Sequence, residues 1–200
     1  RPCEKSEMYS QLNTCMGFGV GNISYFTYFT KQENFIDSHI FTDGGSFINR
    51  DGTRTDIYYY VRTIHNEMQK FANTILSYKY NAAAMFTHKP SNFNTQTHTL
   101  DFVSDELQLV KNVEIDNDIM LVTELKDSAN DMYMYMIQNI IDPGWATEGR
   151  TSMNVTVQFD SEYKYVAIFE KGNLTYQKLE DGKYSTTLSA GYAEFLVPLK

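Results

Sequence analysis

The chain has little of what marks several large classes of protein. Its 200 residues include two cysteines, four prolines and one tryptophan, and 17 lysines and arginines stand against 25 aspartates and glutamates. The formal net charge of −8 argues against a nucleic-acid-binding surface, which needs a clustered basic face. No apolar run approaches the roughly 20 residues that a membrane-spanning helix requires. Nucleic acid and membrane are therefore not expected as partners.

The two cysteines, Cys3 and Cys15, leave two alternatives open. A disulfide between them would cross a predicted helix start, so two unpaired thiols are the interpretation that we favour. Neither cysteine has a histidine at metal-ligand spacing, and no zinc site is predicted. The sequence also contains no phosphate-binding glycine loop and no nucleophile elbow. We therefore expect no metal and no cofactor.

The first 80 residues predict helices on either side of one aromatic strand. Ser6 can cap a helix that ends at the glycines at positions 17, 19 and 21. Residues 23–29 are β-branched or aromatic almost throughout, which predicts a strand buried on both faces. Thr55 can cap the next helix, where His65 is interpreted as a boundary residue rather than a ligand. The packing face of that helix is predicted from apolar residues spaced by four and three: Ile57, Val61, Ile64, Met68, Phe71 and Ile75.

From Tyr78 onward the apolar pattern has a period of two. The methionines at 132, 134 and 136 alternate with Tyr133 and Tyr135, which places the two residue types on opposite faces of a strand. Pro198 cannot donate to a ladder, so we expect it to end the last strand or to lie at a sheet edge. The predicted strands cover residues 99–103, 107–115, 119–125, 132–136, 153–159, 163–169, 174–179 and 192–197. Several short strands at this spacing predict an antiparallel β-sandwich.

Together these patterns predict an α+β chain of two parts. Residues 1–80 are interpreted as the terminal β/α unit of a (β/α)8 barrel, and residues 81–200 as an antiparallel β-sandwich that follows it. The irregular segment 30–54 would be a βα loop, either functional or merely a surface connection. One strand and two helices cannot close a barrel, because an open edge exposes backbone donors and acceptors. We therefore expect the chain to be the C-terminal piece of a larger protein.

Three stretches of the first part resemble the end of the catalytic barrel in clan A glycoside hydrolases. They are Met16-Gly17-Phe18-Gly19, Ile23-Ser24-Tyr25-Phe26-Thr27-Tyr28-Phe29 and Asp51-Gly52-Thr53-Arg54-Thr55-Asp56-Ile57-Tyr58-Tyr59, followed by Ile64-His65-Asn66-Glu67. The resemblance is closest to the β-galactosidases of glycoside hydrolase family 42 and their relatives. It covers the first third of the chain best, and residues 132–138 and 191–199 loosely resemble the sandwich that often follows such barrels.

The resemblance implies a retaining mechanism with two carboxylates, one acting as acid/base and one as nucleophile. In the family these lie on the fourth and seventh strands, which would both precede residue 1. Neither catalytic carboxylate can be matched to a position in this chain. The acidic residues of the first part are interpreted as solvated or capping groups: Glu7, Asp37, Asp43 and Asp51.

Tyr28 and Phe29 are the candidate substrate-binding residues. They end the predicted aromatic strand, where the resemblance implies that aromatic faces stack on a sugar ring. The family often has tryptophan near the position of Phe29, and phenylalanine keeps the apolar face but lacks the indole donor. The alternative is that both rings only pack the top of the barrel.

The sequence therefore supports two alternative functions. The first is a C-terminal portion of a glycoside-hydrolase-like protein without its catalytic carboxylates. The second is a non-catalytic carbohydrate-binding or interaction module, with Tyr133, Tyr135 and Trp145 as candidate exposed aromatic residues. The expected partners are a carbohydrate, another copy of the chain or a missing upstream barrel portion. Residues 1–80 are predicted to pack against the sandwich, another copy or that upstream part, because their apolar faces need cover.

Overall fold

The computed structural model describes residues 3–25, 27–29, 45–87, 105–116, 119–141 and 152–200. Three helices come first in these ranges: α1 (Lys5–Gly17), α2 (Asp56–Gln69) and α3 (Ala72–Ser77). Nine strands follow: β1 (Lys79–Thr87), β2 (Val110–Ile115), β3 (Ile119–Asp127), β4 (Met132–Asn139), β5 (Ser152–Phe159), β6 (Tyr165–Glu170), β7 (Asn173–Lys178), β8 (Lys183–Ser189) and β9 (Ala193–Leu199).

The strands form two antiparallel sheets packed face to face. The large sheet has the order β1-β3-β4-β9-β6-β7, and the small sheet has the order β2-β5-β8. Their facing sides enclose one apolar cluster that includes Val122, Tyr135 and Leu196 of the large sheet and Val157 and Leu188 of the small sheet. This arrangement is a β-sandwich, and it confirms the antiparallel sandwich predicted from the period of two.

The other face of the large sheet packs against the helices. A second apolar cluster joins Met134, Met136 and Phe195 of the sheet to Phe71 and Ile75 of the α2–α3 region. The predicted alternation in β4 is confirmed, since its methionines face the helices while its tyrosines face the small sheet. Both faces of the central strands of the large sheet are thus covered, which agrees with their largely apolar sequences.

Residues 1–80 do not form the predicted barrel unit. In the described part of residues 23–29 there is no strand, and the pairing is one isolated parallel bridge between Phe29 and Ile48. The helices cover the outer face of an antiparallel sheet instead of alternating with parallel strands. A strand of a parallel barrel must pair with a strand on each side. In the described part of the chain, residues 23–29 have only the single bridge to Ile48.

Polar contacts fix α1 on the large sheet. The amide of Gln138 on β4 donates to the Ser10 carbonyl over 3.0 Å and accepts from the Thr14 hydroxyl over 2.9 Å. The Asn13 amide donates to the Gly191 carbonyl, 3.3 Å away, just before β9. Of the alternatives predicted for residues 1–80, the structure therefore shows their helices packed on the sandwich. The domain boundary at residue 80 stays a prediction.

Local details of the prediction are partly confirmed. The Thr55 hydroxyl accepts from the Tyr58 amide at the start of α2, as expected of a cap. The residue before α1 is Glu4 rather than Ser6, which lies buried inside the helix. Pro198 lies near the end of β9, beyond the last β4–β9 pair at Leu196. The predicted strand at 99–103 lies outside the described residues.

Candidate functional site

The segment between α1 and α2 holds both candidate substrate-binding residues. Tyr28 is 54% exposed and Phe29 is 58% exposed, so neither ring packs into a core. Their backbone is nevertheless held, because the Ile48 amide donates to the Tyr28 carbonyl over 3.0 Å. The Thr27 hydroxyl donates to the Phe29 carbonyl over 2.9 Å. Exposed rings on a hydrogen-bonded backbone form a surface that a ligand can reach.

The rings meet nearly at right angles. The centroids of Tyr28 and Phe29 lie 5.0 Å apart with 78° between their planes, and Phe47 lies 6.0 Å from Tyr28 at 90°. Edge-to-face contacts of this kind are favourable, because the positive edge of one ring meets the negative face of the next. Tyr28 and Phe29 cannot both lie flat on one planar ligand. They form a corner in which one ring can stack on a ligand while the other touches its edge.

Tyr25 links this corner to α2. Its ring lies 5.2 Å from Phe47, and its hydroxyl lies 2.6 Å from Nε2 of His65. Burial raises the pKa of Tyr25 to about 12, with a further contribution from Cys15, and burial lowers the pKa of His65. Both side chains are therefore neutral near pH 7. The partly buried position of His65 confirms that it is a boundary residue.

A groove of about 270 Å³ lies beside His65, between residues 20–23 and the α2–α3 region. Its walls are mostly apolar, with the side chains of Asn22 and Gln69 as further polar groups. The described residues contain no cluster of three or more histidine, cysteine or acidic side chains that could hold a metal ion. Cys3 and Cys15 form no disulfide, as the interpretation as two thiols predicted.

The acidic residues of the first part serve local structure where they are described. Glu7 accepts a hydrogen bond from the Glu4 amide over 2.6 Å at the start of α1. Asp51 accepts from the amide and hydroxyl of Thr53, and these bonds lower the pKa of Asp51. Both residues are thus confirmed as capping or turn groups. Asp37 and Asp43 lie outside the described residues.

Two glutamates inside the sandwich were not predicted from the sequence. Glu124 is wholly buried and accepts from the Tyr135 hydroxyl at 2.9 Å, the Asn81 amide at 2.6 Å and the Gln108 backbone at 2.6 Å. Glu124 lies two residues after Val122, and Glu194 lies two residues before Leu196. Both apolar residues face the small sheet, so a period of two places the glutamates on that same face. Because the two sheets cover Glu124, it joins the strands and does not face a cleft.

Glu194 occupies a comparable position on β9. Its carboxylate accepts from the Tyr184 hydroxyl at 2.6 Å and the Thr186 hydroxyl at 2.8 Å, both on the small sheet. Burial raises the pKa of Glu194 above its ordinary value, although these hydrogen bonds oppose the shift. This carboxylate connects the two sheets.

The aromatic residues predicted to be exposed on the sandwich are not those that the structure exposes. Tyr135 has no exposed surface, and Tyr133 is partly buried against the same cluster. Trp145 lies outside the described residues. The exposed tyrosines on the described strands of the large sheet are Tyr80, Tyr165 and Tyr176 instead. Alternation within residues 174–178 indicated a face for Tyr176, but sequence alone could not show that nothing covers this face.

Comparisons with known proteins return no relative of this chain: no family model, no curated protein and no solved structure matches it. The resemblance to glycoside hydrolases therefore has the sequence motifs as its only support. Among the described residues no helix is long and apolar enough to cross a membrane.

Proposed function

We propose that the chain is a non-catalytic, carbohydrate-binding part of a glycoside-hydrolase-like protein, with Tyr28 and Phe29 as its sugar-binding surface. The observation that carries this proposal is the corner formed by the two exposed rings on a fixed backbone. Exposed rings of this size are costly to leave in water unless they serve a contact.

The chemistry of a sugar ring fits this corner. The C–H groups on one face of a pyranose are apolar and stack on an aromatic ring, while its hydroxyls point outward. The Tyr28 hydroxyl can donate to or accept from such a group, whereas Phe29 supplies an apolar face only. A neutral sugar is also compatible with the net charge of −8, because it carries no charge for the chain to repel.

The link to glycoside hydrolases is supported by the sequence motifs of the first third of the chain. The described carboxylates add no catalytic pair to that support: Glu7 and Asp51 hold local structure, and Glu124 and Glu194 are enclosed between sheets. This is why binding rather than turnover is the activity proposed here.

Titration calorimetry of the full chain with galactose-containing and other oligosaccharides tests the proposal. We expect weak binding that Tyr28→Ala and Phe29→Ala each reduce about fivefold or more, since an aromatic contact is worth roughly 1 kcal/mol. Tyr28→Phe separates the hydroxyl from the ring. Tyr59→Ala is the matched control, because Tyr59 is 48% exposed on α2 and lies outside the corner.

Two outcomes would contradict the proposal. One is that no saccharide binds, or that the Tyr59 variant loses as much affinity as the variants of the corner. The other is turnover of aryl galactosides that is abolished by substituting an acidic residue of this chain. The second result would show a catalytic carboxylate where none is proposed.

A further inference from the structure

Strand β7 is an open edge of the large sheet. In the described part of the chain it pairs only with β6, through six consecutive pairs without a bulge. All six of its residues are exposed. Such an edge presents a row of unpaired backbone donors and acceptors to any strand that can align with it.

The opposite edge of the same sheet is protected. On β1, the Ala83 carbonyl accepts from the Asp105 amide over 2.9 Å, and the Ala83 amide donates to the Asp105 carboxylate over 3.0 Å. A register shift between Tyr80 and Ala82 also interrupts the β1 ladder. Among the described residues, β7 has neither a covering segment nor a bulge, and Lys178 is its single charge. Within the part of the chain that the structure describes, one edge of this sheet is therefore protected and the other is available.

One face of the open edge is apolar. Leu174 is 48% exposed and Tyr176 is 65% exposed, and they lie opposite Phe169 and Ala167 of β6. They thus extend the face on which the helices pack, beyond the point where the helices cover it. Tyr165 on β6 adds a third ring that is 46% exposed. At this edge, backbone groups that no described strand pairs with lie next to the apolar patch of Leu174, Tyr176 and Tyr165.

We propose that β7 pairs antiparallel with β7 of a second copy of this chain, around a two-fold axis at Thr175. This register sets Leu174 opposite Tyr176 of the other copy twice, on the apolar face. On the polar face it sets Thr175 opposite Thr175 and Asn173 opposite Gln177. Aliphatic–aromatic, hydroxyl–hydroxyl and amide–amide pairs are all favourable across strands.

The charges of the strand also suit its own copy. In this register Lys178 falls opposite Gly172, which has no side chain, so no like charges are placed across from one another. A register centred on Tyr176 would instead put Lys178 opposite Leu174. The self-paired edge is short, and an interface below about 1,200 Å² is typical of a weak association. We expect a dimer that forms at micromolar or higher protein concentration.

Cysteine cross-linking tests the register. In a Cys3→Ser, Cys15→Ser background, Thr175→Cys brings two thiols directly opposite, and mild oxidation should give a disulfide-linked dimer. Asn173→Cys alone should react at least about tenfold more slowly, because its two copies would lie about 13 Å apart along the strands, beyond disulfide reach. An equal mixture of the Asn173→Cys and Gln177→Cys chains should cross-link at roughly half the rate of Thr175→Cys, because about half of its dimers pair one chain of each kind.

Sedimentation velocity across a concentration series tests the association itself. Tyr176→Lys should abolish the dimer without unfolding the chain, because it places a charge on an exposed position of the interface. Tyr59→Lys is the control at a similarly exposed position and should leave the dimer unchanged. A chain that stays monomeric up to about 1 mM would overturn the proposal. So would cross-linking that is equal for Thr175→Cys and Asn173→Cys.

Discussion

Two short aromatic and apolar runs of this chain differ in structure and burial. Residues 132–137 form most of β4, where Tyr135 and Met136 have no exposed surface. In residues 23–29 the described residues form no strand, and the last two rings are exposed. The first run has β3 and β9 beside it, with a sheet and helices above and below. The difference shows that neighbouring strands and covering layers, more than composition, make such a run a strand.

Truncating one aromatic residue in each run tests whether the two runs differ in packing as described. Tyr135→Ala removes a buried ring and should lower the free energy of unfolding by about 3–5 kcal/mol. Phe29→Ala removes an exposed ring and should change it by no more than about 0.5 kcal/mol. Urea unfolding of both variants measures the two effects. Similar losses would show that residues 23–29 pack as tightly as β4.

A second comparison uses two glycines with positive φ. Gly52, with φ of 86°, lies in the segment before α2 and has nothing within 4 Å of an added Cβ. Gly191, with φ of 80°, lies before β9, where a Cβ would clash with the Ser6 carbonyl oxygen. Gly52→Ala should cost about 1–2 kcal/mol from the backbone conformation alone. Gly191→Ala should cost about 2–4 kcal/mol, because overpacking adds to that cost.

Thermal unfolding of the two alanine variants is the measurement. Equal losses at the two positions would mean that α1 yields to the added methyl group. In that case the contact between α1 and the residues before β9 would be looser than the structure shows.

The smallest expected effect on stability is that of Glu194, which is buried in the sandwich. Burial raises the pKa of this carboxyl, so the folded state holds its proton to higher pH than the unfolded state does. The contribution of Glu194 to stability is therefore greatest in acid. It falls as pH rises from about 4.3, its ordinary pKa, through its raised folded value, and is constant above that.

Glu194→Gln removes this dependence. The amide can still accept from Tyr184 and donate to the Thr186 oxygen, so we expect the variant to be more stable than the parent by up to about 1 kcal/mol at pH 7. The advantage should vanish near pH 4. Urea unfolding at several pH values measures it. Parallel stability curves for the two proteins would show that Glu194 titrates as it does in the unfolded chain.

Much of the sandwich could be predicted from the sequence, because alternation is a local property. The faces of Met134 and Tyr133 followed from a period of two, and the cap at Thr55 followed from one side chain and its neighbours. Strand β8 was not predicted, because serine and threonine separate its few apolar residues. Strand β1 was not assigned because its core is Ala82, Ala83 and Ala84, a composition that does not favour strands.

The larger errors concern which parts of the chain lie over or beside a residue. Tyr135 was predicted to be exposed, although the small sheet covers it. The strand predicted at residues 23–29 required parallel neighbours that the described chain does not supply. For the candidate site, the sequence pointed to Tyr28 and Phe29, but the edge-to-face contact of Phe47 with Tyr28 has no local signal, because the two residues lie far apart along the chain.

The contacts of α1 limit the order in which parts of this chain can fold during synthesis. Helix α1 is held by Gln138 and by the Gly191 carbonyl, 128 and 178 residues after its own contacting residues. These two polar contacts therefore cannot form until residues 138 and 191 have been synthesised. Contacts so distant along the sequence slow folding, since a long loop must close before they form. Until then α2, which shares an apolar cluster with α1, can cover part of its apolar side, and a chaperone that binds short apolar segments can bind the rest.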